Sequence, residues 1–297
     1  MSYLRVLVVA LLACAGGAQA IAPSAADALR ARYVALGDAL AHNQFQRPIA
    51  LQSEQNSGDL KGDMYAIVDH PFSTLNNALK GADRWCDILM LHLNTKDCRA
   101  SNAASPSLMA VSIGKKFDQP LADAHRLDFI YRVAAQAADY LQVRLNADAG
   151  PLGTRDYRIV LEAVPLDARR SFMHLSYAYG YGLGARPAMQ AYLSTAGRDK
   201  VGFSIVGHEA DGRPVYVGNV RGVIERNTMR YYLAIDAYLS ALSSPPQEQT
   251  ERRLRNWYAA AERYPLQLHE MEEADYLAMK RSEIRRQQAQ SRVAAAG

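Results

Sequence analysis

The sequence predicts an α+β protein, a curved antiparallel sheet gripping one long C-terminal amphipathic helix, with a charged helical tail behind it. Four segments between Arg126 and Tyr179 alternate apolar and polar residues with a period of two, which gives each strand one apolar and one wet face. From Val223 to Leu242 the period lengthens to that of a helix with a broad apolar stripe. Short Gly-, Pro- and Asp-bearing links join the strands, and links that short connect only antiparallel neighbours.

The chain opens on a secretory signal. Arg5 and the amino terminus are positive, Leu4 to Ala13 is apolar but for Arg5, and Ala18-Gln19-Ala20 offers small residues to a signal peptidase. The apolar run is shorter than the roughly 20 residues that span a bilayer. Cleavage after Ala20 is expected, so the mature chain works outside the cytoplasm. Leu11-Leu12-Ala13-Cys14 loosely resembles a lipobox and keeps lipidation at Cys14 open as a second reading. Membrane contact is expected only by that route or during ligand transfer.

Of the 297 residues, the 277 left after cleavage can bury a substantial core without metals. The net charge of +4 falls to +3 with the loss of Arg5, which gives no case for nucleic acid. With 49% apolar and 22% charged residues the chain is globular, not disordered. Cys14 leaves with the signal, and Cys86 and Cys98 remain. In an exported chain that pair is expected to be a disulfide. A metal site would need more soft ligands than His92 and the nearby Asp residues supply. No metal and no cofactor is expected.

The elements follow in order. Ala22 to Leu40 reads as a helix with Leu29, Tyr33, Leu36 and Leu40 on one face and Ser24 as its cap. Ile49 to Ser53 and Met64 to Val68 flank Asn56-Ser57-Gly58-Asp59, a hairpin loop. His70-Pro71 ends the second strand, and a helix runs from there to Leu79. Gly81 breaks it, and Trp85 to Leu93 forms a second short helix with Trp85, Ile88, Leu89 and His92 on one side. The strands come after the loop near Ser105-Pro106. Leu127, Phe129, Tyr131 and Val133 share a face, as do Leu141, Val143 and Leu145, then Tyr157, Ile159 and Leu161, then Met173, Leu175, Tyr177 and Tyr179. A short helix is expected near Pro187 to Ser194. Val201 to Val206 and Val215 to Val220 complete the sheet around the Asp211-Gly212 turn. The last helix of the domain, Val223 to Leu242, carries Ile224, Tyr231, Ile235, Tyr238 and Leu239 on its stripe. Pro245-Pro246 ends it. Beyond lies a mixed-charge stretch whose sparse apolar residues (Leu254, Trp257, Leu268, Met271) predict a solvated arm.

This order resembles the START-like (StAR-related lipid transfer) helix-grip superfamily, in which a curved sheet grips the C-terminal helix around a hydrophobic cavity. Gly62-Asp63-Met64-Tyr65-Ala66, Asp69-His70-Pro71-Phe72, Trp85-Cys86-Asp87 and His92-Leu93-Asn94 are similar to a family of exported proteins of Gram-negative bacteria, from which no activity carries over. With the signal at 1–20 and the mature chain expected in the periplasm, the resemblance implies a START-like domain at 21–244, from which the helix near Pro187 and the tail at 245–297 depart. It implies a hydrophobic or amphipathic small molecule, a lipid or similar, as partner. An enzyme on the same scaffold, or an envelope interaction protein with no ligand, stays open.

No nucleophile or phosphate-loop motif is present. His70 reads as a turn residue, His92 as a satisfied core histidine and His174 as exposed on the polar parity of its strand. Tyr177, Tyr179 and Tyr181 lie in line on the apolar parity, as a cavity wall with hydroxyls would, or as plain core. Arg226 and Arg230 sit four apart near the predicted helix start, where like charges repel and the dipole disfavours them. Either carboxylates such as Glu225, Glu162 or Asp156 compensate, or an anionic ligand does. The expected ligand site is therefore Tyr177, Tyr179, Tyr181, Arg226, Arg230, Tyr231 and Ile235.

Overall fold

The computed structural model describes residues 24–101, 106–182, 198 and 200–296, with side chains to Gln290. The signal, the lipobox at Cys14 and the helix near Pro187 lie outside the described residues. Eight strands form one antiparallel sheet: β1 (Ile49–Gln55), β2 (Asp59–Val68), β3 (Thr95–Ser101), β4 (Ser107–Ile113), β5 (His125–Ala137), β6 (Tyr140–Ala149), β7 (Thr154–Pro165) and β8 (Ser171–Tyr181). Their order is β1-β2-β8-β7-β6-β5-β4-β3, so β1 and β3 are the edges. The hairpin at Asn56, the links at Gly150 and Pro165, and the alternation of β5 to β8 all fall where the sequence places them.

Helices α1 (Ala25–Ala35) and α2 (Gly37–Ala41) form the N-terminal element. Ser24 caps α1 by accepting the Asp27 amide at 3.1 Å. They pack Leu29, Leu36 and Leu40 on the outer face of the sheet, against Tyr65, Tyr140 and Phe172. That face is therefore dry over its centre, where alternation alone predicts a wet one. α3 (Phe72–Leu79) and α4 (Ala82–Leu89) carry the chain from β2 to the far edge. Cys86 on α4 is disulfide-bonded to Cys98 on β3, with Cα atoms 5.2 Å apart.

The long helix α5 (Asn219–Ala241) lies on the inner face against β1, β2 and β8. Gly62 on β2 permits the close approach, because a Cβ there would stand 2.2 Å from the Thr228 hydroxyl. Two expectations fail before this helix. β9 (Ile205–His208) and β10 (Pro214–Tyr216) form a separate two-stranded ribbon instead of completing the sheet. Ile205, Val206 and Val215 are exposed on it, so the apolar run there marks no core strand. Its base is tied down by Glu225, which accepts the Phe203 and Ser204 amides at 2.6 and 2.8 Å.

The tail is helical and charged as expected: α6 (Pro246–Ala261), α7 (Pro265–Leu268) and α8 (Glu273–Ala296). It is not a solvated arm. Leu254, Trp257, Leu268 and Tyr276 are buried in the same core as the sheet. α5 is consequently enclosed, sheet on one side and α6 on the other, which is why nearly every residue from Ile224 to Leu239 is buried. α8 also covers the β3 edge. Gln287 accepts the Cys98 amide at 3.0 Å, and Arg286 donates to the Lys96 carbonyl at 2.8 Å, which occupies backbone groups that would otherwise invite another strand.

Candidate functional site

α5 covers only the β1-β2-β8 side of the curved sheet. The β4 to β7 side is left to wall a cavity of about 280 Å³. Val111, Leu127, Phe129 and Ile159 form its apolar floor, and Val223, Arg226, Arg230 and Tyr231 its helical wall. A ladder of rings crosses it. Tyr157 stacks on Tyr179 at 5.3 Å between centroids, Tyr177 meets Tyr231 at 5.0 Å, and Tyr231 meets His92 at 5.0 Å. The Tyr177 and Tyr231 hydroxyls are hydrogen-bonded to each other, and burial pushes both well above the usual phenol range.

One end of the cavity is polar. It is built by His92, Asn94 and Thr95 at the turn from α4 into β3, and by Lys116 after β4. The Asn94 amide donates to His92 Nδ1 at 3.2 Å, so the imidazole carries its proton on Nε2. That Nε2, with Asn94 Oδ1 and Thr95 Oγ1, has no hydrogen-bond partner among the described residues. His92 is thus no satisfied core histidine. Burial, then the cations of Arg230, Lys280, Lys116 and Lys96, holds it neutral, well below the usual imidazole range.

The arginines are placed differently from expectation. α5 begins at Asn219, which puts Arg226 and Arg230 about two and three turns in, beyond the reach of the dipole. Arg226 donates to the Val201 carbonyl at 3.1 Å. Arg230 pairs with Glu270 at 2.7 Å, a tail carboxylate and not Glu225, Glu162 or Asp156. Lys116 also pairs with Glu270, and Lys200 stands 3.9 Å from it. Burial alone would raise the Glu270 pKa; Arg230, Lys116 and Lys200 outweigh it and hold the carboxyl ionised.

Of the seven expected ligand residues, Tyr177, Tyr179, Arg226, Arg230 and Tyr231 line the cavity together. Tyr181 does not; it packs half-buried at the strand end. Ile235 does not either, being fully buried core one turn beyond Tyr231. The cavity residues missed are His92, Asn94, Thr95, Lys116 and Tyr157, and Glu270 of the tail is missed as the ion-pair partner of Arg230 and Lys116.

His174 is not exposed. On the outer face, β6, β7, β8 and β2 align Gln142, Glu162, His174 and Tyr65 in one row. His174 Nδ1 meets Glu162 at 2.9 Å and Nε2 meets Asp63 at 2.8 Å, while Tyr65 stacks on its ring at 4.4 Å. Burial would lower its pKa, but the two carboxylates raise it, and the ring is an imidazolium. Hydrogen bonds from His174, Tyr140 and Gln142 overcome the effect of burial on Glu162 and bring it to about 2. Among the described residues no group of three or more His, Cys, Asp or Glu side chains is disposed to hold a metal ion.

Hairpin, two helices, six-strand meander, then a long helix across the sheet is a defined topology. It is the helix-grip fold. No family model matches the chain, and no curated protein does. Solved structures similar to it include a START superfamily protein from Mycobacterium smegmatis, 11% identical, covering 46% of this chain and 91% of that one with a TM-score of 0.32. Norcoclaurine synthase from Thalictrum flavum is 14% identical, covering 48% and 89% with a TM-score of 0.33. A conserved protein from Geobacillus kaustophilus is 10% identical, covering 61% and 95% with a TM-score of 0.34. Likeness at this level carries neither ligand nor activity to this chain.

Proposed function

We propose that this is an exported binding protein for an amphipathic small molecule, held between the sheet and α5. The observation that carries the reading is a cavity with an apolar, aromatic body and one polar end where three buried polar atoms have no hydrogen-bond partner among the described residues. Leaving such a group unsatisfied costs about 1–3 kcal/mol, so water or the polar end of a ligand completes them. Apolar burial would hold the ligand's body at about 25 cal/mol per Å². The Cys86–Cys98 disulfide supports export, since such bonds persist in oxidising compartments. Cleavage after Ala20 and release to the periplasm belong to the same proposal. Filling the cavity tests the binding reading. Val223→Trp places an indole into the space and should abolish the fluorescence gain of a dansyl-labelled undecanol while leaving unfolding cooperative. Undiminished binding of that probe would move the ligand elsewhere.

A second reading, catalysis on a small hydrophobic substrate, has His92 in its favour, a buried neutral imidazole facing a cavity. Its tautomer sets the role. Nε2–H is a donor, suited to polarising a carbonyl or holding an oxyanion, and a base at that atom would require giving up the Asn94 bond.

A further inference from the structure

We infer that Glu270 competes with the ligand for the head-group site, and that the ligand is a monocarboxylate amphiphile whose acid group takes the place of the Glu270 carboxylate on Arg230 and Lys116. The inference rests on the binding reading above and names its ligand class and its specificity residue.

The placement of Glu270 makes the case. Arg230 and Lys116 line the inner cavity, whereas Glu270 lines a second, outer groove between the Lys115–Asp118 segment and α8. Asn94, Lys116 and Leu152 belong to both spaces, so cavity and groove are neighbours and the Arg230–Glu270–Lys116 pairs stand on their boundary. An acid head arriving at the polar end of the cavity meets the same two cations that Glu270 already holds. It also meets the like charge of Glu270, so both cannot occupy the seat without repulsion.

Glu270 can give way. It sits in the link between α7 and α8, outside either helix. The outer groove beside it gives the side chain somewhere to go. The seat is also shaped for what Glu270 carries, since a planar carboxylate is the group Arg230 and Lys116 already grip. Lys280 and Lys96 stand nearby as well, and after burial they add with Arg230 and Lys116 to the depression of His92. The His92 Nε2–H and the Thr95 hydroxyl add donors beside the seat.

The test is a pair of fluorescence titrations, with dansyl-labelled undecanoic acid and with the matching undecanol, on the wild-type chain, Glu270→Gln and Glu270→Asp. Glu270→Gln should bind the acid about tenfold tighter, the effect of freeing one charge-assisted bond, and the alcohol as the wild type does. Glu270→Asp keeps a charge for Arg230 but shortens its reach. It should tighten the acid by a smaller factor, and it carries the test if the Gln variant does not fold. Acid affinity unchanged or weakened in both folded variants, with the alcohol still bound, overturns the competition and leaves the cavity reading standing. Failure of the wild type to bind either probe overturns the cavity reading and the competition with it.

Discussion

The two faces of the sheet each bury one imidazole, and they treat it in opposite ways. On the outer face His174 has a carboxylate on each nitrogen and a tyrosine on its ring, and α1 closes over the group. On the inner face His92 is bonded among the described residues through Nδ1 alone, looks into a cavity with its other nitrogen, and is kept neutral first by burial and then by the cations around it. Full satisfaction marks a group that holds the fold. A buried donor left open beside space marks a group that waits on something else.

The largest effect that would sharpen this contrast concerns the tail, which encloses only the inner side. A chain ended at Ser244 loses Leu254, Trp257, Leu268 and Tyr276 from the core and Glu270 from the cavity mouth. Each such side chain contributes about 1.5–3 kcal/mol of burial, so the sum is comparable to the whole stability of a domain. The shortened chain should lose cooperative unfolding by calorimetry. A melting temperature close to that of the full mature chain would return the tail to the status of an arm.

Next in size is the pair of histidine substitutions. His174→Ala removes the cation shared by Asp63 and Glu162, leaving Asp63 to Lys61 and Glu162 to Tyr140 and Gln142, and should cost about 1.5–3 kcal/mol in denaturant unfolding, with cavity probes unaffected. His92→Phe should stay within about 1 kcal/mol, since it loses one long hydrogen bond but removes a donor that has no partner among the described residues. It should instead weaken the dansyl undecanoic acid about tenfold. A large stability loss with unchanged acid binding would make His92 a structural residue.

The same pair separates by pH. His174 is raised above 6.5, so its contribution is whole below that pH and is lost as pH rises through its folded pKa. Glu162 is depressed from 4.5 to about 2, so its contribution is whole above 4.5 and is lost as pH falls toward 2. The stability gap between wild type and His174→Ala should thus be widest between those two limits. His92 runs the other way. Its folded pKa lies below 6.5, the unfolded chain binds the extra proton, and stability falls as the solution is acidified below 6.5. His92→Phe should remove that acid-side loss.

Alternation made β5 to β8 and their inward residues legible, and with them Tyr177 and Tyr179 of the cavity, while the helical stripe gave Tyr231. β3 was not legible because Thr95 to Cys98 is buried on both faces under α4 and α8, which erases the period of two. Lys96 in that strand is fully buried, its ammonium on Glu283 at 2.9 Å. Lys280, equally buried on α8, shares Glu283, and burial brings it to about 8. The charge of Lys96 reads as solvated in the sequence, because its partner lies far along the chain on α8. Glu270 was hidden for that reason, and His174 likewise, since Asp63 and Glu162 come from β2 and β7.

Native mass spectrometry of the protein recovered from its own cells tests the central claim most directly. The expected spectrum shows a chain beginning at Ile21 with Cys86 and Cys98 joined, carrying one small amphiphile that activation releases as a carboxylate anion. A chain that begins at Ile21, retains its disulfide and carries no adduct at any activation energy would contradict the account.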